Sequence, residues 1–544
     1  MAEPAVTPTA RVITAIDAGA ATTSVALLGR LANRWRLLGS LAAPAGADES
    51  ALIARLIGEL EVAEPGLNAT LGLDPASTVR LRTLRAETPA PPTLAVLAGS
   101  PRALESARRV AAATGWRVVG AQPESHDPRD VTGLLLRPEV RAVLIAASDP
   151  PGADERSSLD ELAALVAAVR LRRRGLPVVL SGAMAARRRR FDRLGLDDDE
   201  DPAPVMAIPS ARGREPTERV RAALEAIRAP AGDGRTAIAR AAAGLAAVLD
   251  RRVEVLDIGL NAGLRAVADP PTGGEPGRSA SITSAEAGLA PLEPDDASID
   301  RVLAWATRWG DRHRIGDRLH DLRLTPWADA TGVGARLRLA AAAAAIERLV
   351  GHSDHLSAGP PPDLVVLAGG GFALAPPTAV AVTLADVLRR PGGVQIAFDH
   401  ARLLGPIGML PDAERQTMLA DLADDLLLPI GSVVVVAHAA RPVRGEPGVR
   451  VHVAGDGVGL QLEVGAGTIE LVELAPGDHA IATIETETAG RLGPDAMRVA
   501  VPVSGGVAGL IVDGRGIPLR LPARGDDRRA ALAAWHDPLW TVPS

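Results

Sequence analysis

The sequence predicts an α/β protein of two lobes, with a parallel α/β unit inserted between their signature segments and a β-rich domain towards the C-terminus. Three observations carry this. Two strand–turn–strand segments with Asp-x-Gly at the bend, RVITAIDAGAATTSVALLGR at 11–30 and VEVLDIGLNAGLRAV at 253–267, repeat one plan roughly 240 residues apart, which suggests internal duplication. From about Thr93 short apolar runs alternate with helical stretches, the pattern of βαβ units in a parallel sheet. From Val449 the chain is strand-like and punctuated by glycine, with no helical pattern until residue 526.

These signals divide the chain into 1–90, the first lobe with its hairpin; 91–235, the inserted unit; 236–440, the second lobe; and 441–544, the β-rich domain. The inserted unit has strands at LAVLAG, WRVVGA, RAVLIAAS and LPVVLSG, with helices expected through Ala103 and Ala113 and through Leu159 and Arg172. The second lobe opens with a helical stretch from Ala237 to Leu249, followed by the second hairpin. Residues 268–300, rich in Pro, Gly, Ser and Asp, form a loop excursion, and helical periodicity then runs from Ile299 to Val350. PDLVVLAGGGFALAPP at 362–377 reads as a buried strand entering a glycine turn.

Composition excludes more chemistry than it admits. All 59 basic residues are arginine, and cysteine and tyrosine are absent. There is therefore no Walker lysine, no Schiff-base lysine, no catalytic thiol, no cysteine-ligated metal and no disulfide. Codon bias in a GC-rich genome accounts for the arginine preference. A 47% apolar chain of 544 residues with net charge −7 is expected to be globular and not to bind nucleic acid. The run Arg187 to Arg190 is followed by the acidic run Asp197 to Asp201 and reads as a charge-balanced surface. The N-terminal segment has no signal pattern, and apolar runs such as LRLAAAAAAIERLV are broken by charge before the ~18 residues of a membrane span. A cytoplasmic location is the expectation.

Three glycine turns follow apolar strands: Asp17-Ala18-Gly19-Ala20-Ala21-Thr22-Thr23, Asp257-Ile258-Gly259-Leu260-Asn261-Ala262-Gly263, and Gly369-Gly370-Gly371. Each offers backbone N–H groups to a phosphate or nucleoside without needing lysine. Taken singly, such turns are common structural punctuation; their order and spacing are more informative. Two Asp-x-Gly hairpins, followed about 110 residues later by a small-Gly-Gly turn, resemble the layout of the actin, heat-shock chaperone and sugar-kinase (ASKHA) superfamily.

Within that superfamily the sequence resembles the MutL-type (GlmL) accessory proteins of glutamate (methylaspartate) mutase. The resemblance rests on PVVLSG at 177–182, LDIG at 256–259, VVLAGGGFALAPP at 365–377, DHARLLGPIGML at 399–410, and GGVAGLIVDGRGIPLRLP at 505–522 before a helix with Trp535. It implies a two-lobed actin-like ATPase fold that binds ATP with Mg²⁺. It places Asp17, Gly19, Thr22, Thr23, Asp257 and Gly259 at the phosphates, Asp17 at the metal, and Gly369, Gly370 and Gly371 at the adenosine. It also implies a protein partner, a coenzyme-B12-dependent mutase whose inactivated cofactor must be exchanged.

Departures from the family pattern fall at the phosphates. Where that family reads Asp-x-Gly-Ser-Thr-x-Thr-Lys, this chain has Ala20, Ala21 and Ser24 for the two hydroxyls and the lysine. Where it reads Asp-x-Gly-Gly-Ala-Thr-Thr-Asp, this chain has Leu260, Asn261, Ala262, Gly263 and Leu264. Phosphoryl transfer depends on positioned charge and donors, and losing one such donor costs about 10²- to 10³-fold in rate. The expectation is a degenerate member that acts as chaperone or reactivation partner, with nucleotide bound weakly or not at all, Leu260 crowding the phosphate path. Two alternatives are an active ATPase or kinase drawing on Asp269 or Glu286, and a scaffold working through the C-terminal β domain.

Other candidates carry less. Asp149, Asp154 and Glu155 sit at a strand end and read as a solvated loop; Ser181-Gly182 lacks the Gly-x-Ser-x-Gly of a nucleophile elbow. His313 and His320 share a helical face without a carboxylate partner and read as surface residues. Trp305 and Trp309 read as core anchors or part of a partner surface.

Overall fold

A computed structural model gives the fold and describes residues 11–74, 81–88, 91–121, 127–192, 204–209, 215–228, 234–271, 280–285, 288–290, 296–308, 310–327, 331–352, 359–438, 448–455, 458–486, 490–491 and 498–540. Asp197 to Asp201, Glu286 and Trp309 lie outside the described residues.

The first lobe is a four-stranded sheet of β1 (Val12–Ala18), β2 (Thr22–Leu31), β3 (Arg34–Pro44) and β4 (Arg82–Glu87), in the order β3-β2-β1-β4. β1, β2 and β3 form an antiparallel meander, and β4 lies parallel to β1. Ala32 and Asn33, both with positive φ (47° and 65°), make the tight turn between β2 and β3. Asp48 caps helix α1 (Glu49–Ala63), accepting from Ser50 N–H at 2.9 Å. Strand alternation sends Val12, Ile16, Val25 and Leu27 towards α1 and the short α2 (Leu67–Leu71).

The inserted unit is a five-stranded parallel sheet of β5 (Thr93–Ala98), β6 (Arg117–Ala121), β7 (Val140–Ala146), β8 (Val178–Ser181) and β9 (Val205–Ile208), ordered β6-β5-β7-β8-β9. Helices α3 (Pro101–Ala112) and α7 (Glu215–Arg228) cover one face, and α4 (Pro128–Leu136) and α5 (Ala153–Arg172) the other. Helix α6 (Arg189–Asp192) follows β8. Strands covered on both sides are apolar throughout; every residue of β5 is buried.

In the second lobe helix α8 (Gly234–Leu249) precedes β10 (Val253–Ile258), β11 (Gly263–Ala268) and β12 (Ser281–Ala285). Helices α9 (Asp296–Trp305), α10 (Arg312–Leu324) and α11 (Val333–His352) lead to β13 (Leu364–Ala368), α12 (Pro377–Leu388) and β14 (Gly392–Asp399). Helices α13 (Leu404–Gly408) and α14 (Asp412–Leu426) then lead to β15 (Leu427–Val435). The order β12-β11-β10-β13 repeats that of the first lobe, with β10 parallel to β13. Alternation along β10 splits the core: Leu256 and Ile258 face α11 and α12, while Val253 and Val255 face α8 and α14.

The lobes share one of these cores. Ile13, Ala15, Ala26, Leu28 and Leu84 pack with residues of α8, α13 and α14. The free edge of β3 is covered as well, because Asp421 accepts the Trp35 N–H at 3.0 Å and Asp425 the Leu37 N–H at 3.2 Å.

The C-terminal stretch differs from the separate domain expected from 441. Its strands are β16 (Ala437–His438), β17 (Val449–Gly455), β18 (Val458–Val464), β19 (Ile469–Val472), β20 (His479–Thr486), β21 (Gly490–Arg491), β22 (Arg498–Ser504) and β23 (Leu510–Asp513). β23 pairs in parallel with β15, and β19 pairs with β23, so the second lobe's sheet grows to eight strands. The four-stranded sheet β18-β17-β20-β22 packs on its far end, through Val434, Val512, Val451 and Ile484. Glycine-punctuated strands signalled β-structure but not the strand from 510 returning to β15. Helix α15 (Gly525–His536) then docks on the second lobe, with Leu539 and Trp540 against its core. No helix among the described residues is long and apolar enough to cross a membrane.

Candidate functional site

The two hairpins are built alike. In the first, Asp17 faces Ser24 on β2 and Ala86 on β4, and the Gly19 N–H closes the turn on the Thr22 carbonyl at 2.9 Å. In the second, Asp257 faces Leu264 on β11 and Ala368 on β13, and the Gly259 N–H closes on the Ala262 carbonyl at 3.0 Å. Each aspartate stands one residue before the end of its lobe's central strand. The third turn is fastened to the second hairpin: Gly371 donates to the Ile258 carbonyl at 3.0 Å. Gly369 has a φ of 82°, and a Cβ there would fall on the Asp257 carboxylate and the Ile258 carbonyl, so only glycine fits.

The three turns meet at one cleft of about 880 Å³, counted with its open mouth. Asp17, Gly19, Thr22, Asp257, Gly259, Gly369 and Gly370 all line it. Thr23 and Gly371 are not among the lining residues; Thr23 is buried opposite Ala18 in the ladder, and the Gly371 N–H is engaged as above. At the first tip, Ala20 and Ala21 carry N–H groups with no backbone partner among the described residues, whereas the Gly19 N–H counted on from sequence is used by the turn itself.

Several lining residues were not among the site candidates: Arg235 at the start of α8, Trp327 after α10, Arg338 on α11, and Asp399 and Arg402, which fall within the 399–410 motif but had no role assigned. Arginine thus enters the cleft from the second lobe although the expected lysine position is Ser24. Ser24 is 4% exposed, and its hydroxyl has no hydrogen-bond partner among the described residues. Arg402 has a left-handed backbone, φ 54°, a conformation that costs about 1–2 kcal/mol for a residue with a Cβ. Trp327 donates its indole N–H to the Ala21 carbonyl at 2.9 Å, joining the second lobe to the tip of the first hairpin.

Burial pushes the Asp17 carboxyl up to about 7; Arg402 opposes the shift, while Asp257 and Asp399 add to it. Asp257 is also raised by burial, against Arg402 and Arg235. Burial takes Asp399 to about 6, although its oxygens accept from Leu403 N–H (2.9 Å) and Leu404 N–H (3.0 Å) and Arg402 lies close by. Asp399 thereby caps α13, which leaves Asp17 and Asp257 as the carboxylates facing the cleft from opposite lobes.

The cleft suits a phosphate-bearing ligand with a divalent ion. Its cations suit phosphates, and crowded carboxylates are relieved by a cation. Among the described residues no three metal-binding side chains gather tightly enough to hold an ion by themselves.

The second hairpin's tip is closed more firmly than its sequence suggested. Leu289 N–H and Ala290 N–H donate to the Gly259 and Leu260 carbonyls at 3.0 and 2.9 Å. Leu260 is 8% exposed and packs in the core with Leu256, Ile258 and Leu289, so it walls the cleft rather than standing across it. Leu264 is buried on the opposite face of the sheet against α8. Asn261 lines the cleft, and its buried side-chain oxygen has no hydrogen-bond partner among the described residues.

Candidates set aside from sequence lie elsewhere. Asp269 pairs with Arg252 at 2.5 Å beyond the far end of the β10–β11 ladder, away from the cleft. Glu155 accepts from Ser148 N–H (2.8 Å) and the Ser100 hydroxyl (3.1 Å) within the inserted unit. His313 and His320 are exposed on α10, and Trp305 donates to Glu347.

One strand order in both lobes, with an aspartate ending each central strand at a shared cleft, assigns the architecture. The fold is a duplicated two-lobed α/β fold, the architecture expected of an actin-like protein. No protein-family model matches the chain, and no curated protein matches it. Among solved structures, nucleotide-free acetone carboxylase aligns at 13% identity over 83% of this chain and 80% of that one, with a TM-score of 0.29. The activator of the 2-hydroxyisocaproyl-CoA dehydratase from Clostridium difficile with bound ADPNP aligns at 9% identity over 76% and 97% of the two chains, TM-score 0.27. Xylulose kinase from Bifidobacterium adolescentis aligns at 12% identity over 75% and 93%, TM-score 0.24.

Proposed function

We propose that this chain binds ATP with Mg²⁺ in the cleft and turns it over slowly or not at all, so that nucleotide acts as a conformational ligand. Asp17 and Asp257 would hold the metal, whose charge would offset that of the phosphates. Arg235, Arg338 and Arg402 supply the positive charge that Ser24 lacks, and Ala20 and Ala21 offer backbone donors. The observation that carries this reading is the contrast between retained and lost groups. Both aspartates and the cleft are kept, whereas the side chains that would act on a terminal phosphate are replaced by Ala20, Ala21, a buried Ser24 and a core-packed Leu260.

In this reading the protein is an accessory factor that works on a protein partner. The MutL-type resemblance points to a coenzyme-B12-dependent mutase that must be assembled or freed of damaged cofactor.

Titration with a fluorescent ATP analogue, with and without Mg²⁺, tests the binding. Micromolar binding that depends on Mg²⁺ and is lost in Asp257→Asn supports it; no binding at millimolar analogue overturns it. For the partner, the chain is added with ATP to a purified, cofactor-inactivated mutase. Recovery of mutase activity supports the assignment, and an unchanged rate removes it.

An active ATPase is the second reading, favoured by the third buried carboxylate, Asp399. The commitment of both its oxygens to capping α13 weighs against a catalytic role.

A further inference from the structure

Two arginines of α11, each over a tryptophan, connect the C-terminal segment to the cleft. Arg336 is ion-paired with Asp537 and lies 4.7 Å over the Trp540 ring. Arg338 donates to the Pro326 carbonyl and lies 5.5 Å over the Trp327 ring. Trp327 in turn holds the Ala21 carbonyl at the first hairpin's tip.

Positions two apart on a helix point about 200° apart, so Arg336 and Arg338 project from opposite sides of the same turn. One side meets the C-terminal segment and the other the mouth of the cleft. The Arg336 and Arg338 side chains are 12% and 4% exposed, so neither is a loose surface contact.

The C-terminal segment is held by buried Leu532, by Leu539 and Trp540 against the second lobe's core, and by charge and aromatic stacking. His536 Nε2 lies 2.7 Å from Asp386 Oδ2, Arg515 lies 4.7 Å over Trp535, and Arg308 is 3.5 Å from Asp537. Trp305, Arg336, Asp386, His536 and Trp540 line a small opening beside it. The segment's last turn, Asp537–Trp540, buries no residue fully, so that end of the segment belongs to the part of a fold that opens locally at lower cost than the core.

We infer that the C-terminal segment, residues 525–540, regulates the cleft through α11. While Asp537 and Trp540 hold Arg336, the first turns of α11 are fixed. Arg338 then keeps Trp327 in place, and the cleft mouth stays latched at Ala21. When the segment lifts, α11 can shift, the Trp327 latch loosens and the two lobes separate at the mouth. A protein that grips residues 525–540 would thereby set the nucleotide affinity. That consequence rests on the nucleotide reading of the cleft; the mechanical link does not.

Hydrogen exchange of the full chain, without nucleotide, tests the link. The variants are Asp537→Asn and Arg336→Met, with Arg338→Met as the direct disruption of the latch. The amides to follow are Gly19 and Ala45, which donate to Thr22 and Ala21, together with peptides covering 310–327. Asp537→Asn is expected to speed exchange about fivefold at these sites, as a loss near 1 kcal/mol would. Arg338→Met should reproduce the effect, and the amides of β17 should not change, which shows that the fold is retained. Faster exchange confined to 525–540, with the hairpin tip unaltered, overturns the proposal. Because no nucleotide is present, the outcome does not depend on whether the cleft binds one. A parallel titration with the fluorescent ATP analogue then shows whether the released latch changes affinity.

Discussion

Trp327 and Ala21 lie 306 positions apart in sequence, yet the indole N–H of one donates to the carbonyl of the other at 2.9 Å, from opposite sides of the cleft. This hydrogen bond fastens the two lobes at the mouth, while α8, α13 and α14 fasten them at the base. Trp327→Phe keeps an aromatic face beneath Arg338 and removes the N–H donor along with part of the indole. It is expected to cost about 0.5–1.5 kcal/mol in urea unfolding and to make the 11–30 segment more sensitive to limited proteolysis. Unchanged stability and an unchanged cleavage pattern would show that the bond does not hold the mouth.

The raised carboxyl of Asp17 makes stability fall with pH. Between its ordinary value of 3.8 and about 7, the native state retains a proton that the unfolded chain has released. Its stabilising contribution is thus fully present below about 4 and is lost as pH rises to 7, beyond which the curve flattens. In Mg²⁺-free buffer, Asp17→Asn should match the parent near pH 4 and exceed it by about 1–3 kcal/mol at pH 8. Parallel curves across that range, measured by urea unfolding, would contradict the raised value.

The β3 edge depends on two aspartates of α14. Replacing Asp421 and Asp425 together by alanine exposes the Trp35 and Leu37 N–H groups. About 1–3 kcal/mol of stability should be lost, and an open edge strand should promote self-association, visible by sedimentation. A monomer of parental stability would show that solvent serves the edge equally well.

Glu254, 1% exposed, balances two arginines: Arg265 at 2.7 Å and Arg390. Burial raises its carboxyl, but Arg390 and Arg265 outweigh that and hold it below the ordinary range. Glu254→Ala leaves two cations facing each other in the interior and should cost about 3–5 kcal/mol. A loss below about 1 kcal/mol in calorimetry would mean that water reaches the arginines.

Sequence reading went furthest where the signal is local. An Asp-x-Gly turn between two apolar strands is written within a dozen residues, and Asp17 and Asp257 fall where that pattern puts them, at the ends of β1 and β10. The second lobe's cationic residues have no such local mark. Arg402 reaches the cleft from a strand-end turn, Arg235 from the start of a helix and Arg338 from the middle of an alanine-rich one. Their convergence depends on packing between elements distant in the chain. The core packing of Leu260 was hidden for the same reason: its neighbours Leu289 and Ile258 come together only in the folded core. The extension of the second sheet by β23 was likewise invisible, because a four-residue strand does not name its partner.

The most direct test of the central claim measures binding and turnover in one sample. With the cleft saturated by the fluorescent ATP analogue and Mg²⁺, phosphate release is followed alongside bound fluorescence. The expected result is Mg²⁺-dependent binding, abolished by Asp257→Asn, with phosphate release no faster than the buffer background. Release well above background that disappears in Asp17→Asn would contradict it and make the chain an active ATPase.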